Sequence, residues 1–165
     1  MPETETITPR IDWADFQKLV PEVATSMAAI NHALRNSTIE PELRELLKIR
    51  ASQLNGCAFC IQFHLNEARK IGVSAPKLDL LPAWRETTIY SVREAAALAF
   101  TERITLIAGH PIEDETWVEV RTHFSEAEVA LLTTAIAQIN FWNRLAAPLR
   151  FTPPIPVHSE PLANS

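Results

Sequence analysis

The stretch PELRELLKIRASQLNGCAFCIQFHLNEARKIG, residues 41–72, predicts two helices joined by a short turn. Before the turn, apolar residues recur at helical spacing: Leu43, Leu47, Ala51 and Leu54. This spacing places them on one face of a helix and indicates a buried stripe. Gly56 ends or kinks the first helix and Gly72 ends the second, because glycine readily adopts the left-handed conformation found at helix ends. The stretch is therefore typical of a helical hairpin.

The turn of this hairpin leads into both cysteines of the chain. Cys57 and Cys60 are three residues apart, and His64 follows four residues later. In a helix such spacings share one face, so the two Cα atoms would be roughly 5–6 Å apart, within the range of a disulfide. A helix start also favours a thiolate through its unpaired N–H groups. Two thiols that can join, with a base nearby, meet the requirements of dithiol redox chemistry.

Two other interpretations of the cysteines remain open. Buried cysteines can act as small apolar residues, with His64 a hydrogen-bonded histidine of the core. Two thiolates and an imidazole are also zinc ligands, but a structural zinc site needs four ligands and no second C-x-x-C lies nearby. The fourth ligand would have to come from a distant residue or from another subunit. A redox-active dithiol is the interpretation that we prefer.

Glu45 lies twelve residues before Cys57, on the first helix of the hairpin. If the two helices fold back about Gly56, Glu45 lies opposite residue 67, within one helical turn of His64. The carboxylate and the imidazole would then meet directly or through one water. A solvated helix face is the alternative, since most glutamates are exposed.

The composition excludes several classes of protein. The 165 residues fit one domain, and the net charge of −5, without a run of Lys or Arg, argues against nucleic acid and anionic membranes as partners. No apolar stretch approaches the ~18–20 residues that span a bilayer, and MPETETITPR lacks the pattern of a secretory signal. We therefore expect a cytoplasmic protein, in which paired cysteines are more often catalytic, redox-active or metal-binding than structural.

The chain as a whole predicts an all-α fold of six to eight helices. Three glycines and no glycine-rich phosphate motif argue against nucleotide-binding folds. The first helix is expected over about 12–35 with a break near Pro21, and a short one is capped by Ser74 and runs to about Leu81. Two capping boxes open further helices, from Ser91 to about Ala108 and from Ser125 to about Leu145, with another at about 113–122 between them.

The expected organisation is one helical domain between two tails. The domain covers residues 11–151, with tails over 1–10 and 152–165, and the second tail contains four prolines that prevent a regular helix: Pro153, Pro154, Pro156 and Pro161. Four residues elsewhere resemble site residues, but packing and structural hydrogen bonds explain them better: Trp84, Asn140, Trp142 and Asn143.

The motif Glu45, Cys57-x-x-Cys60 and His64 resembles the signature of the alkylhydroperoxidase D-like family, within the carboxymuconolactone decarboxylase superfamily. Five flanking stretches agree with it: LKIRASQLNGCAFC, HLNEARKIG, LPAWRE, REAAALAFTE and FSEAEVALLTTAIAQINFWNRLA. The resemblance covers about residues 43–147. It implies a helical subunit of a homotrimer or homohexamer, and a peroxidase that needs no haem, flavin or metal.

The resemblance also implies a role for each residue of the motif. Cys60 would attack the hydroperoxide and form a sulfenic acid, and Cys57 would resolve it to a redox-active Cys57–Cys60 disulfide. His64 and Glu45 would form a proton relay, and an external thiol or dithiol would restore the reduced protein. Three alternatives to the peroxidase interpretation remain: a redox sensor without catalysis, a general thiol–disulfide protein and a zinc-stabilised helical oligomer.

One position departs from the family pattern. The best-known members carry a histidine between the two cysteines, and this chain has Phe59 there. A phenyl ring carries no proton to share in a relay. Carboxymuconolactone decarboxylases proper share the fold but lack the cysteine pair, so decarboxylation is disfavoured.

Overall fold

The computed structural model of the chain describes residues 7–156, and within that range every regular element is a helix. The α-helices are α1 (Trp13–Leu19), α2 (Pro21–Arg35), α3 (Pro41–Leu54), α4 (Ala58–Lys70), α5 (Ala75–Asp79), α6 (Val92–Thr105), α7 (Asp114–His123) and α8 (Glu126–Leu149). A 3-10 helix covers Leu81–Glu86. The prediction of a single-domain all-α fold is confirmed.

The ends of the helices follow from local sequence signals. Pro21 separates α1 from α2, since the residue before a proline is driven out of the helical region, and Val20 has φ −135° and ψ 62°. At the start of α6, Ser91 accepts a hydrogen bond from the Glu94 backbone and the Glu94 side chain accepts one from the Ser91 backbone. The same reciprocal pair opens α8 at Ser125. Both predicted capping boxes are confirmed.

Two predicted helix ends were wrong, and one helix was not predicted. Helix α6 ends at Thr105 rather than near Ala108, because the next side chains, Leu106 and Ile107, remain half-exposed and no burial supports another turn. Helix α8 continues beyond Leu145 until Arg150 adopts a left-handed conformation, with φ 58°. The 3-10 helix at Leu81–Glu86 was not predicted.

Helix α3 lies at the centre of the fold and packs against α4, α6 and α8. Of its predicted stripe, Leu43, Leu47 and Ala51 are buried, and Leu54 is partly exposed. Side chains outside the stripe are buried too, including Leu46 and Ile49. Because α3 is buried on several faces, the polar side chains that it carries are held in fixed positions.

The turn between α3 and α4 is held by both its backbone and helix α8. Gly56 has φ 65°, a left-handed conformation that glycine adopts without steric cost, and the Cys57 N–H donates to the Ser52 carbonyl at 3.0 Å. The side-chain amide of Asn55 donates to the side-chain oxygens of Asn140 (3.0 Å) and Asn143 (2.8 Å). The structural interpretation of these two α8 residues therefore agrees with their contacts.

The two ends of the helical region pack together. The backbone N–H groups of Arg10 and Ile11 donate to the Leu149 carbonyl, at 3.0 and 3.2 Å. The Asp12 carboxylate accepts from the Thr152 N–H (2.9 Å) and hydroxyl (2.8 Å). These bonds fasten the segment after α8 over the start of α1.

Beyond α8, residues 151–156 form no regular helix, as their prolines require. The remaining parts of the two expected tails, residues 1–6 and 157–165 with Pro161, lie outside the described residues. The domain bounds 11–151 stay a prediction. In the portion of the chain that the structure covers, no helix is both long and apolar enough to cross a bilayer.

Candidate active site

The two cysteines meet at the start of α4 in a disulfide. Their Cα atoms are 5.4 Å apart, in agreement with the predicted spacing. Cys57 is the N-cap residue of α4 and lies just before the first helical turn, with φ −88° and ψ 95°. Its sulfur accepts a hydrogen bond from the Cys60 N–H at 3.3 Å. One N–H of the helix start, that of Cys60, therefore points at the Cys57 sulfur.

The two cysteines differ in their access to a cavity. Both belong to one apolar cluster with Phe16, Ala51 and Ile139, and Cys57 is 0% exposed. Cys60 is 2% exposed, and it forms part of the wall of a cavity of about 210 Å³. A small molecule in this cavity therefore has Cys60 as a wall residue.

Glu45 and His64 are in direct contact across the hairpin. The Nδ1 atom of His64 lies 2.7 Å from Glu45 Oε2, and the two side chains are only 12% and 13% exposed. Since a carboxylate only accepts hydrogen bonds, Nδ1 carries the proton and donates it. In the neutral ring the other nitrogen, Nε2, is then an acceptor. The predicted proximity of the two residues is confirmed, and it needs no bridging water.

Burial sets the protonation of this pair. It lowers the pKa of His64 below its ordinary value of 6.5, and this outweighs the Glu45 carboxylate, which alone would raise it. Burial also pushes the pKa of Glu45 upward, but the His64 hydrogen bond and the charges of Lys48 and Arg44 together hold it below its ordinary value. Near neutral pH the site therefore contains a neutral imidazole on an ionised carboxylate.

Lys48 is a site residue that the sequence analysis missed. Its Nζ lies 3.6 Å from Glu45 Oε1, and the residue, 5% exposed, lines the same cavity as Cys60 and His64. Burial lowers the pKa of Lys48, and the Glu45 carboxylate opposes that effect. Two signals could have indicated it: a lysine inside the apolar run LLKI, and a position three residues after Glu45 on one helix.

The cavity walls come from α1, α2, α3, α4 and α8, and four of the lining residues are aromatic: Trp13, Phe59, Phe63 and Trp142. The rings of Phe59 and Phe63 stack with centroids 6.1 Å apart, and Trp13 and Trp142 meet edge to face at 5.3 Å. Trp142 therefore lines the cavity in addition to packing against its aromatic neighbours. Phe59 gives an apolar side chain to the position between the two cysteines.

The candidate residues therefore converge at one place. Cys57 is bonded to Cys60, Glu45 to His64, and Cys60 and His64 share the cavity wall. Within residues 7–156, no three His, Cys, Asp or Glu side chains are grouped so as to hold a metal ion. The catalytic roles of the four residues stay a prediction. These features place the chain among all-α proteins with a dithiol beside a carboxylate–histidine pair.

Comparison with known proteins gives the family. Residues 21–103 match the carboxymuconolactone decarboxylase family, and the uncharacterized protein YdfG of Bacillus subtilis (strain 168) is 41% identical over 131 residues, 79% of this chain and 89% of YdfG. The chain belongs to the carboxymuconolactone decarboxylase family, as an alkylhydroperoxidase D-like member.

Solved structures agree with this assignment. A protein of unknown function from Agrobacterium tumefaciens, ATU0492, with a suggested identity as the antioxidant defence protein AhpD, superposes with a TM-score of 0.84 and 35% identity over 90% of this chain and 100% of that one. The debrominase Bmp8 shares the fold at 20% identity, with a TM-score of 0.73 over 83% of this chain and 74% of its own. Another Bmp8 structure holds 2,3,4-tribromopyrrole. The fold is therefore one that enzymes use.

Proposed function

We propose that the protein is a thiol-dependent peroxidase that reduces organic hydroperoxides with its Cys57–Cys60 dithiol. The observation that carries this proposal is the pairing of His64 with Glu45 at 2.7 Å on the wall of the cavity that Cys60 also lines. A neutral, oriented base beside a cysteine is what activation of a thiol requires. The reductant is an external thiol or dithiol.

The first half of the cycle oxidises Cys60. His64 Nε2 takes the Cys60 proton, and the thiolate attacks the terminal oxygen of the hydroperoxide. The O–O bond breaks, an S–O bond forms, and the leaving alkoxide takes the proton from the imidazolium. The alcohol leaves and Cys60 remains as a sulfenic acid.

The second half returns the protein to the dithiol. The Cys57 sulfur attacks the Cys60 sulfur, the S–O bond breaks, and the hydroxyl leaves with the Cys57 proton as water. The reductant then donates two electrons and two protons to the disulfide and is itself oxidised. The net reaction converts a hydroperoxide and two reductant thiols to an alcohol, water and a reductant disulfide.

Two physical effects compete over which sulfur attacks. The helix start favours a thiolate on Cys57, whose sulfur accepts the Cys60 N–H. Access favours Cys60, because Cys60 lines the cavity and His64 lines the same cavity. We assign the attack to Cys60, since a peroxide must reach the sulfur and a base must serve it twice, once as base and once as acid.

The test is peroxide consumption with a dihydrolipoamide-type reductant, comparing the wild type with Cys60→Ser and Cys57→Ser. The wild type should turn over steadily, and Cys60→Ser should react little faster than a free thiol. Cys57→Ser should react once and leave a sulfenic acid on Cys60, which a dimedone-type reagent labels for mass spectrometry. A label on Cys57 of the Cys60→Ser variant, formed at the wild-type rate, would reverse the assignment.

A second candidate function follows from the aromatic walls of the cavity. Four aromatic residues border it, and planar rings pack well against other planar rings. Bmp8, which shares the fold, is a debrominase. The dithiol could supply two electrons to replace an aryl halogen by hydrogen, giving the arene, hydrogen halide and the disulfide. Bromide release from a bromopyrrole, without hydroperoxide turnover, would favour this candidate.

A further inference from the structure

Lys48 is a charged residue in a place where charge is costly. It lies on the central helix α3 between Leu47 and Ile49, and all three side chains are buried. An ammonium buried without compensation is unstable, so a lysine at such a position needs a partner charge. Its partner is Glu45, whose Oε1 lies 3.6 Å from the lysine Nζ.

The two oxygens of the Glu45 carboxylate therefore have separate partners. Oε2 accepts the His64 N–H at 2.7 Å, and Oε1 faces the Lys48 ammonium at 3.6 Å, longer than an ordinary hydrogen bond. The longer contact is one of charge rather than of fixed geometry. Lysine, carboxylate and imidazole thus form one continuous set of contacts, and its two ends, Lys48 and His64, both line the cavity beside Cys60.

We infer that Lys48 is a positioning residue of this site: its ammonium keeps Glu45 ionised and keeps His64 a neutral base. The inference rests on the peroxidase function proposed above. Lys48 acts through Glu45 and His64, and it needs no contact with the hydroperoxide.

Lys48 is the charge near His64 that opposes protonation of the ring. His64 is influenced by Glu45 and Lys48 from α3 and by Glu67 from its own helix. Lys48 is influenced by Glu45 and Arg44 from α3 and by Arg35 from α2. The charges of Lys48 and Arg44 help to keep the buried Glu45 carboxylate ionised. On His64, Glu45 and Glu67 favour the protonated ring, whereas Lys48 acts together with burial to oppose it.

Two substitutions separate charge from packing. Lys48→Met keeps most of the side-chain volume and removes the charge, and Lys48→Arg keeps the charge. The first measurement is an NMR titration of the His64 ring in reduced protein, assigned with His64→Gln. Removing the positive charge should raise the pKa of His64 in Lys48→Met, whereas Lys48→Arg should titrate close to the wild type.

The second measurement is the pH profile of oxidation by hydroperoxide in a single turnover. In Lys48→Met the acid limb should move to higher pH, because His64 must lose its proton before it can act as a base. The rate should fall several-fold at pH 6 and approach the wild-type rate at pH 8. An unshifted His64 titration and an unshifted acid limb in folded Lys48→Met would overturn the inference.

A third measurement uses the wild type and covers the case in which Lys48→Met does not fold. The inference requires an ammonium at position 48 at pH 7, which NMR of the labelled lysine side chain detects. A neutral amine there would overturn it. The His64 titration needs no turnover, so the two proposals fail separately. A shifted titration in a protein without peroxide turnover would reject the peroxidase while leaving the electrostatic role of Lys48 in place.

Discussion

At the scale of single residues, His64 combines a fixed nitrogen with an available one. The bond from Nδ1 to Glu45 sets the tautomer and the orientation of the ring, which leaves Nε2 to accept a proton. Phe59 lies between the two cysteines and packs against Phe63 and Phe151. Among the described residues that line the cavity, His64 is the one imidazole.

Glu45→Gln should slow oxidation of the reduced protein by hydroperoxide without unfolding it. The amide oxygen can still accept the His64 N–H, but it cannot balance the charge of an imidazolium. General acid–base assistance is worth ~10²–10⁴-fold, and a residue acting through the base should contribute about 10–100-fold of it. Stopped-flow oxidation from pH 6 to 8 measures the effect.

The matched control for Glu45→Gln is Glu42→Gln, on the same helix, where the carboxylate pairs with Lys77 at the surface. It should react like the wild type. If Glu45→Gln also oxidises at the wild-type rate throughout the pH range, Glu45 is a structural acid only.

The sequence distances of Glu45 and His64 from Gly56 predicted their contact, because a tight hairpin about Gly56 fixes which residues face each other. It did not predict Lys48, since a lysine in an apolar run usually extends its ammonium to solvent. Whether a long side chain can reach solvent depends on which elements cover the helix. Here these elements are α1, α2 and α8, which are distant in sequence and line the cavity. The cavity itself was unpredictable for the same reason, since its walls come from five separate helices.

At the scale of elements, the α3–α4 turn connects stability to the site. Gly56 sits at φ 65°, and a Cβ placed there would meet no atom within 4 Å, so any cost of a side chain is one of backbone conformation. Directly after it, the Cys57 N–H bonds the Ser52 carbonyl. A distortion of this turn therefore moves the first cysteine.

Gly56→Ala should lower the free energy of unfolding by about 1–2 kcal/mol, the cost of a left-handed conformation for a residue with a Cβ. Gly72→Ala is the matched control, because Gly72 has φ 86° and equally open surroundings. Urea unfolding should show similar losses for both variants. Only Gly56→Ala should also change the rate at which the dithiol is oxidised. Equal oxidation rates in the two variants would show that the conformation of the α3–α4 turn does not affect the reactivity of the dithiol.

Local signals predicted the elements where those signals were strong. The capping boxes at Ser91 and Ser125 and the break at Pro21 correspond to helix ends in the structure. The end of α6 and the end of α8 were misplaced, because packing decides how far an apolar helix continues. The 3-10 helix at Leu81–Glu86 depends on a tertiary contact, in which the Trp84 indole donates to Glu102 on α6 at 2.9 Å.

At the scale of the whole molecule, acid should destabilise the fold. The folded-state pKa is lowered for His64, ordinarily 6.5, and for several carboxyls: Asp12, Glu45, Glu102 and Glu128. A lowered pKa means that the unfolded chain binds the proton first, so stability is present above the unfolded-state pKa and is lost as the pH falls. His64 should titrate first, below about 6.5, and the carboxyls further down.

Urea unfolding of the oxidised protein at pH 7.5 and 5.5 tests the first step. The wild type should be less stable at pH 5.5, and His64→Gln should lose less stability between the two pH values, whatever its absolute stability. An equal loss in both proteins would assign the step to groups other than His64.

We also propose that the protein is a homo-oligomer, as its family resemblance implies. In sequence, residues 95–108 and 129–139 are apolar on more than one helical face, yet the chain itself covers most of their large side chains. Exposed large apolar side chains include residues on α2, directly after α6 and on α7: Val23, Ile30, Leu106, Ile107, Trp117 and Val118. Apolar surface of this kind is typical of subunit contacts.

Light scattering at micromolar concentration should return three or six times the chain mass of 18.5 kDa. Val118→Lys places a charge on the exposed face of α7 and should shift the population toward smaller species, because an unpaired charge is costly in an apolar contact. Ala137→Lys, at an exposed position of α8, is the control for added charge. A wild-type mass of one chain would remove the proposal, and the exposed apolar side chains would then be ordinary surface residues.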